Sequence, residues 1–218
     1  MPVLAYAGER VPLWPEGKIP DFQPQQIAAA LQEVRKPGFK AAEHTMPHLD
    51  WFDAPAEKNG ACMLLISGGG YKNWCDGWWI DQVAKKFTEL GYVCVSLTYR
   101  TPRPQGLPIY QSAWQDGQRA VRLVRQSAQE RGFDPEKIGA LGFSAGSHLT
   151  VLLGTSALTP AYQAVDELDQ TPCHINWAVP IYTAYALTDG LTGPNTRNGD
   201  ALDARLSDVF KFDAKTCP

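Results

Sequence analysis

The sequence predicts an α/β fold, in which a mostly parallel sheet is covered by helices on both faces. Two continuous apolar runs, "ACMLLIS" (61–67) and "YVCVSLTYR" (92–100), are typical of strands buried on both sides. Between them apolar residues recur at three- and four-residue steps, as in an amphipathic helix. With this alternation, the 218 residues are expected to form a single domain, residues 1–218.

The N-terminal segment follows a different pattern. Residues 1–60 are rich in proline and are expected to be mainly irregular. A short helix is predicted near Pro24–Val34, and an extended stretch over residues 39–52. The regular part of the fold is therefore expected to begin near Ala61.

From residue 79 onward, helices and strands alternate. The first helix is predicted from apolar residues at positions 79, 80, 83, 84, 87 and 90 and is closed by Gly91. A second helix is predicted over Ser112–Arg131, then a strand over Ile138–Phe143, a helix over residues 145–156 and a strand over residues 175–182. Parallel strands joined in this way end at one edge of the sheet, where ligands bind in such folds.

Three arginines recur at three-residue steps on the second helix: Arg119, Arg122 and Arg125. Such a stripe predicts a solvated helix face. The alternative is a binding site for a phosphate or carboxylate group.

Composition argues against several kinds of partner. Lys and Arg number 20 against 23 Asp and Glu, and no basic cluster of the kind that binds nucleic acid is present, so the expected partner is a small molecule. No apolar run approaches the roughly 18 residues of a membrane span. The first residues lack a signal-peptide pattern, which predicts a cytoplasmic protein as written, or an exported one if a signal peptide has been removed.

The cysteines do not indicate metal or redox chemistry. The five are scattered, with no C-x-x-C pair, and neither a metal nor another cofactor is expected. Cys62 and Cys94 fall within apolar runs and are predicted to be small core residues.

The stretch "GFSAG" carries the chemistry. Ser144 stands in a G-x-S-x-G pattern between a predicted buried strand and a predicted apolar helix. A sharp strand-to-helix turn lifts the serine hydroxyl above the sheet, and glycine at positions 142 and 146 allows the close approach of strand and helix. Ser144 is therefore the predicted nucleophile, against the alternative of an incidental serine in a glycine-rich turn.

A second glycine-rich stretch, "SGGGY", follows the first buried strand. Its backbone N–H groups can approach an oxygen that becomes negative, and the N–H after the nucleophile can do the same. Gly69, Gly70 and Ala145 are predicted to form an oxyanion hole. The alternative, a phosphate-binding loop, lacks the G-x-G-x-x-G pattern and the Lys followed by Ser or Thr.

Together, "LWPEG", "SGGGY", "LTYR", the helix carrying Asp116 and "GFSAGSHL" resemble the α/β-hydrolase fold serine esterases, in particular bacterial acetyl xylan and feruloyl esterases. The resemblance implies hydrolysis of acyl esters through an acyl-serine, on acetylated or feruloylated carbohydrate. Tyr71 and Trp74 are expected to contact substrate. Trp78 and Trp79 could stack on a sugar or pack within the fold. Asp116, matched in these esterases, is expected to anchor a structural bond, with Arg100 as its candidate partner.

The acid and the base of a serine triad follow the serine in this fold. His148 lies one helical turn beyond Ser144, which favours a structural role beneath it. His174 precedes a strand and is expected at the opposite edge of the sheet. His44 and His48, upstream of the serine, fit no better, and Asp189, Asp200, Asp203 and Asp208 identify no acid.

The catalytic Asp and His are therefore expected outside this chain. The C-terminal strands of the fold are expected to be missing, and a C-terminal fragment or second chain is a candidate partner. Two other functions remain open: an inactive binding module on the same fold, and a peptidase or lipase.

Overall fold

The computed structural model describes residues 9–24, 26, 46–52, 55, 57–74 and 78–183. The described elements, in chain order, are β1 (Arg10–Pro12), β2 (His48–Trp51), β3 (Cys62–Ile66), α1 (Trp78–Glu89), β4 (Val93–Thr98), α2 (Gln111–Gln126), α3 (Ala128–Arg131), β5 (Ile138–Phe143), α4 (Ala145–Thr155), a 3₁₀ turn (Glu167–Gln170) and β6 (Trp177–Ile181). This alternation confirms the predicted α/β class.

The described strands form one mixed sheet in the order β1-β2-β4-β3-β5-β6. The pairs β3–β4, β3–β5 and β5–β6 are parallel, whereas β1 and β2 join antiparallel beside β4. Ile66 of β3 pairs with Leu97 of β4 and with Gly142 of β5. The carboxyl ends of these strands therefore lie together at one edge of the sheet.

Alternate side chains of β3 enter two apolar layers. Leu64 packs in the layer covered by α2 and α4, and Leu65 packs in the layer covered by α1. Side chains of a strand point alternately to opposite faces, so a continuous apolar run needs helices on both sides. The predicted two-sided covering is confirmed.

The described part of the N-terminal segment is more regular than predicted. Strands β1 and β2 belong to the sheet, and Leu13 and Trp14 are buried in its core. Strand β2 lies within the predicted extended stretch, and pairing with β4 satisfies its backbone groups. The helix predicted over 24–34 lies outside the described residues, apart from Pro24 and Gln26.

The predicted second helix is interrupted near its end. Helix α2 stops at Gln126, and after Ser127 the short α3 continues to Arg131. Gly132 then adopts a left-handed conformation, with φ of 73°, in keeping with its predicted place after the helix.

The prediction of a solvated arginine stripe is wrong. Only 3% of Arg119 is exposed, and its guanidinium binds the carboxylates of Asp166 and Asp169. Arg125, also buried, donates to the backbone carbonyls of Pro135, Pro172 and His174. Segments that follow α2 and α4 in the chain cover this helix face and supply acceptors, which no periodicity within the helix can reveal.

Cys62 and Cys94 are buried, as predicted, and they lie in the two different apolar layers. Burial raises the pKa of Cys62 well above its ordinary value and that of Cys94 to about 11. Both thiols therefore stay protonated and pack as apolar groups. Among the described helices, none has the length and apolar character needed to cross a bilayer.

Candidate active site

Ser144 occupies a strained turn between β5 and α4. Its φ of 53° and ψ of −115° lie outside the regions that side-chain-bearing residues favour. Strand and helix approach so closely that a Cβ on Gly142 would overlap the carbonyl of Gly146, and a Cβ on Gly146 would overlap the carbonyl of Ile66. The sharp turn expected from the G-x-S-x-G spacing is therefore present.

The turn lies at the carboxyl edge shared by β3, β5 and β6. The backbone N–H of Ser144 donates to the carbonyl of Ile181 at 3.1 Å, which ties the turn to the end of β6. Gly68, just beyond β3, lies against the serine, since a Cβ added there would stand 3.2 Å from Ser144 Cβ. The topology thus brings the serine and the glycine-rich loop together, although they are 76 positions apart.

Hydrogen bonds within the glycine-rich loop fix its backbone conformation. The carbonyl of Gly69 accepts hydrogen bonds from the N–H groups of Lys72 and Asn73, at 3.0 and 3.3 Å. Gly69 has φ of 127°, and a Cβ there would overlap the Asn73 carbonyl, so only glycine fits. In a trans peptide the N–H points opposite to the carbonyl, so the Gly70 N–H faces away from this turn.

Arg103 contributes a further contact that the sequence did not suggest. Its Nε donates to the carbonyl of Gly70 at 3.0 Å. The peptide group between Gly70 and Tyr71 is therefore also fixed in orientation. A long, positively charged side chain downstream of β4 gives no sequence signal for this role.

Ala145, the third predicted oxyanion residue, is the first residue of α4 and is buried. The first N–H groups of a helix have no acceptor within the helix, and the helix dipole adds partial positive charge there. The position suits the binding of a developing negative charge next to Ser144.

The structure does not support the expectation that the Tyr71 side chain contacts substrate. The residue is 1% exposed, and its ring turns beneath the loop. The Tyr71 hydroxyl and His148 Nδ1 are hydrogen-bonded at 2.7 Å, and the two rings meet edge to face. The ring packs in the apolar core and bonds to His148 of α4. The sequence "GGGY" indicated only that Tyr71 lies near the serine.

Trp74 and Trp79 differ in their surroundings. Trp74 is half-buried and its indole N–H donates to the carbonyl of Tyr99 at 2.6 Å, which places it next to the glycine-rich loop. Trp79 packs on Phe143 with ring centroids 4.1 Å apart, in favour of the packing alternative. The side chain of Trp78 lies outside the described residues.

The side chains of the three described histidines make their contacts with groups other than Ser144. His148 lies under the turn, as predicted, and burial lowers its pKa to about 3. His174 Nε2 lies 3.5 Å from a Glu136 carboxylate oxygen, near the amino end of β6, as expected. His48 contacts the carbonyl of Met46 through Nδ1 and the carboxylate of Asp50 through Nε2.

Asp116 holds the predicted bond to Arg100. The carboxylate accepts from the Arg100 backbone N–H at 2.8 Å and from its Nε at 3.0 Å. Both residues are buried, so the pair is structural. His44, Asp189, Asp200, Asp203 and Asp208 lie outside the described residues. Within the described ranges, no three His, Cys, Asp or Glu side chains gather as metal ligands would.

Known esterases resemble this chain over part of its length. The BD-FAE family model matches residues 49–207. Esterase LipQ of Mycobacterium tuberculosis is 36% identical over 109 residues, which cover 48% of this chain and 24% of LipQ. An acetylxylan esterase of Xylanibacter ruminicola is 29% identical over 105 residues, covering 46% of this chain and 20% of that enzyme.

A similar fold occurs in the crystal structure of an acetyl ester-xyloside bifunctional hydrolase from Caldicellulosiruptor lactoaceticus. The TM-score is 0.58 at 28% identity, over 82% of this chain and 57% of that chain. The matches thus span about a quarter or less of these two curated relatives and just over half of the solved structure. The fold predicted from the sequence motifs, that of the α/β-hydrolases, is confirmed.

Proposed function

The chain belongs to the BD-FAE family, and from this membership we propose that it acts as a serine carboxylesterase with Ser144 as nucleophile. The observation that carries the proposal is the strained turn at Ser144 (φ 53°), set against Gly68 at the carboxyl edge of the sheet. Backbone strain of this kind clusters at reactive sites, where the surrounding structure maintains it. Two relatives named as esterases, each matching nearly half of this chain, support the activity.

The proposed reaction passes through an acyl-serine. Ser144 Oγ attacks the ester carbonyl carbon and its proton passes to a base, while the carbonyl oxygen takes up negative charge. N–H groups of Gly69, Gly70 and Ala145 stabilise that oxygen. Collapse of the tetrahedral intermediate expels the alcohol, which receives the proton, and water then hydrolyses the acyl-serine by the same steps.

We further propose that the base is none of the three described histidines. The pKa of His148 is about 3, so at neutral pH this buried ring is a weak proton acceptor, and it is bonded to Tyr71. His48 and His174 make contacts with Asp50 and Glu136. The catalytic His and its Asp partner are proposed to come from polypeptide beyond this chain, either a C-terminal continuation or a second chain that completes the sheet.

The proposed substrates are acetylated or feruloylated carbohydrates. Support for acetylated carbohydrate comes from the names of the Xylanibacter and Caldicellulosiruptor relatives, an acetylxylan esterase and an acetyl ester-xyloside hydrolase. The partly exposed indole of Trp74, beside the glycine-rich loop, offers an aromatic face of the kind on which sugar rings pack.

A fluorophosphonate probe tests the nucleophile directly, because it phosphonylates activated serines. Labelling is expected at Ser144 and is expected to disappear in Ser144→Ala. Ser147→Ala, three residues further on and within α4, is the matched control and should still be labelled. Labelling that survives in Ser144→Ala would overturn the assignment.

The origin of the base is tested by p-nitrophenyl acetate hydrolysis. Residues 1–218 alone should hydrolyse the ester slowly. Serine hydrolases that lack a triad member retain a rate enhancement of only about 10³- to 10⁴-fold over the uncatalysed reaction in water. Adding a polypeptide with the remaining strands and the histidine should restore turnover. Full turnover by the chain alone would show that the base lies within it. No labelling and no turnover in either preparation would favour the inactive binding module.

A further inference from the structure

Tyr71 emerges from the glycine-rich loop in an unfavourable backbone conformation. Its φ is 59°, in the left-handed region that bulky residues rarely adopt. Such a conformation persists only where surrounding contacts hold it. The contacts here are a buried ring and the 2.7 Å hydrogen bond between the Tyr71 hydroxyl and His148 Nδ1.

His148 belongs to the element that carries the nucleophile. It lies one turn into α4, and its backbone N–H donates to the carbonyl of Ser144 at 3.1 Å. The ring is fully buried against Tyr71 and Tyr110. Burial lowers the pKa of His148 to about 3, so the ring bonded to the Tyr71 hydroxyl is uncharged at neutral pH.

The other end of the glycine-rich loop is also held from below. The Tyr99 hydroxyl donates to the carbonyl of Ser67 at 3.0 Å, and its ring packs on that of Tyr71. The loop is therefore attached to the end of β4 at Ser67 and to α4 at Tyr71. Between these two attachments lie Gly69 and Gly70, while Ala145 lies on α4 itself.

We propose that the Tyr71–His148 hydrogen bond sets the distance between the glycine-rich loop and the start of α4, which makes Tyr71 and His148 positioning residues for the oxyanion hole. This inference rests on the proposed function. N–H donors from two separate elements must converge on one oxygen, and displacement of a donor by a fraction of an ångström weakens transition-state binding. Neither side chain touches the substrate; both act through the backbone they hold.

Tyr71→Phe is the most conservative test, because it keeps the ring and removes one hydroxyl. The readout is the saturation kinetics of Ser144 labelling by a fluorophosphonate on residues 1–218 supplemented with the polypeptide that carries the remaining strands and the histidine. With the base supplied equally to parent and variant, a difference in labelling rate reports on the oxyanion donors. The maximal labelling rate is expected to fall about tenfold. The probe concentration at half saturation is expected to change less than twofold.

A histidine series tests the same bond from α4. His148→Asn places a polar amide near the position of Nδ1 and should retain most of the labelling rate. His148→Leu should lose about tenfold, and Tyr71→Phe combined with His148→Leu should lose no more than either change alone, because both remove one interaction. A double variant whose losses multiply would contradict the proposal.

Tyr162→Phe is the matched control. It removes a hydroxyl bonded to Asp169 at 2.5 Å and to Arg122, outside both the glycine-rich loop and α4, and should leave the labelling rate unchanged even where stability falls. A labelling rate for folded Tyr71→Phe within twofold of the parent would overturn the positioning role alone. If Ser144 of the parent is not labelled even after a polypeptide with the remaining strands and the histidine is added, the proposed function fails and this inference fails with it.

Discussion

Trp14 and Asp116, 102 positions apart in the chain, are joined by a buried hydrogen bond of 2.8 Å from the indole N–H to the carboxylate. The same carboxylate binds Arg100 at the end of β4. One buried acid thus connects the N-terminal segment, the sheet and α2. Because the acid also neutralises a buried guanidinium, its removal affects three parts of the fold together.

Asp116→Asn is therefore expected to destabilise the protein strongly. Removing one partner of a buried ion pair typically costs about 3 to 5 kcal/mol, since the other charge stays buried without compensation. The free energy of unfolding in urea measures the effect. The control is Glu89→Gln, which breaks the exposed Lys86–Glu89 pair and should change stability by less than about 1 kcal/mol. Equal effects of the two changes would contradict this account.

Gly146→Ala and Gly154→Ala, both in α4, are expected to act in opposite directions. A Cβ on Gly146 would overlap the carbonyls of Ile66 and Ser67, so the change should cost about 3 kcal/mol or more. At Gly154 the nearest atom would be 3.7 Å away, so alanine should stabilise the helix by about 0.5 to 1 kcal/mol. Thermal unfolding followed by circular dichroism compares the two. A stable Gly146→Ala protein would show that strand and helix can separate at the turn.

Because the backbone at Ser144 is strained, glycine is expected to be more stable than alanine at this position, the reverse of their order within a helix. Ser144→Gly should be about 1 kcal/mol more stable than Ser144→Ala, because glycine adopts a φ of 53° without steric cost. Ser147, three residues later within the helix, is the matched position, where glycine should be about 1 kcal/mol less stable than alanine. Urea unfolding of the four variants gives both differences. The same sign at both positions would mean that the turn stores no strain.

The buried His148 should make stability sensitive to acid. Its pKa falls from 6.5 to about 3 on folding, because burial disfavours the charged ring. Between these values the unfolded chain binds a proton that the folded protein does not. Well above pH 6.5 this group does not lower the free energy of unfolding. As the pH falls below 6.5, the free energy of unfolding declines by at most about 1.4 kcal/mol per pH unit.

The measurement is the free energy of unfolding between pH 6.5 and 4.5 in the parent and in His148→Asn. The slope of this free energy against pH should be smaller in His148→Asn, by an amount that corresponds to the uptake of up to one proton on unfolding. This range lies above the titration of carboxylates such as Asp166, whose pKa the Arg119 hydrogen bond lowers below 3.8. Contributions of the other histidines cancel in the comparison. Identical slopes would show that His148 can be protonated in the folded protein.

The local features of this protein could be predicted from its sequence. Apolar runs mark β3, β4 and β5, and the G-x-S-x-G spacing predicts the sharp turn at Ser144, because steric limits on neighbouring residues determine each of them. One contact between separated segments, Asp116 with Arg100, was also anticipated, as was the burial of His148 under the turn.

Only the tertiary structure decided which polar groups are buried and what they bind. Arg119 has the spacing of a solvated residue, yet Asp166 and Asp169 cover it from a segment about 50 positions away. Tyr71 follows three glycines and was expected to face substrate, but its hydroxyl finds His148 beneath the turn. Periodicity reports whether a side chain is apolar, whereas the burial of a polar side chain depends on partners that folding brings from elsewhere in the chain.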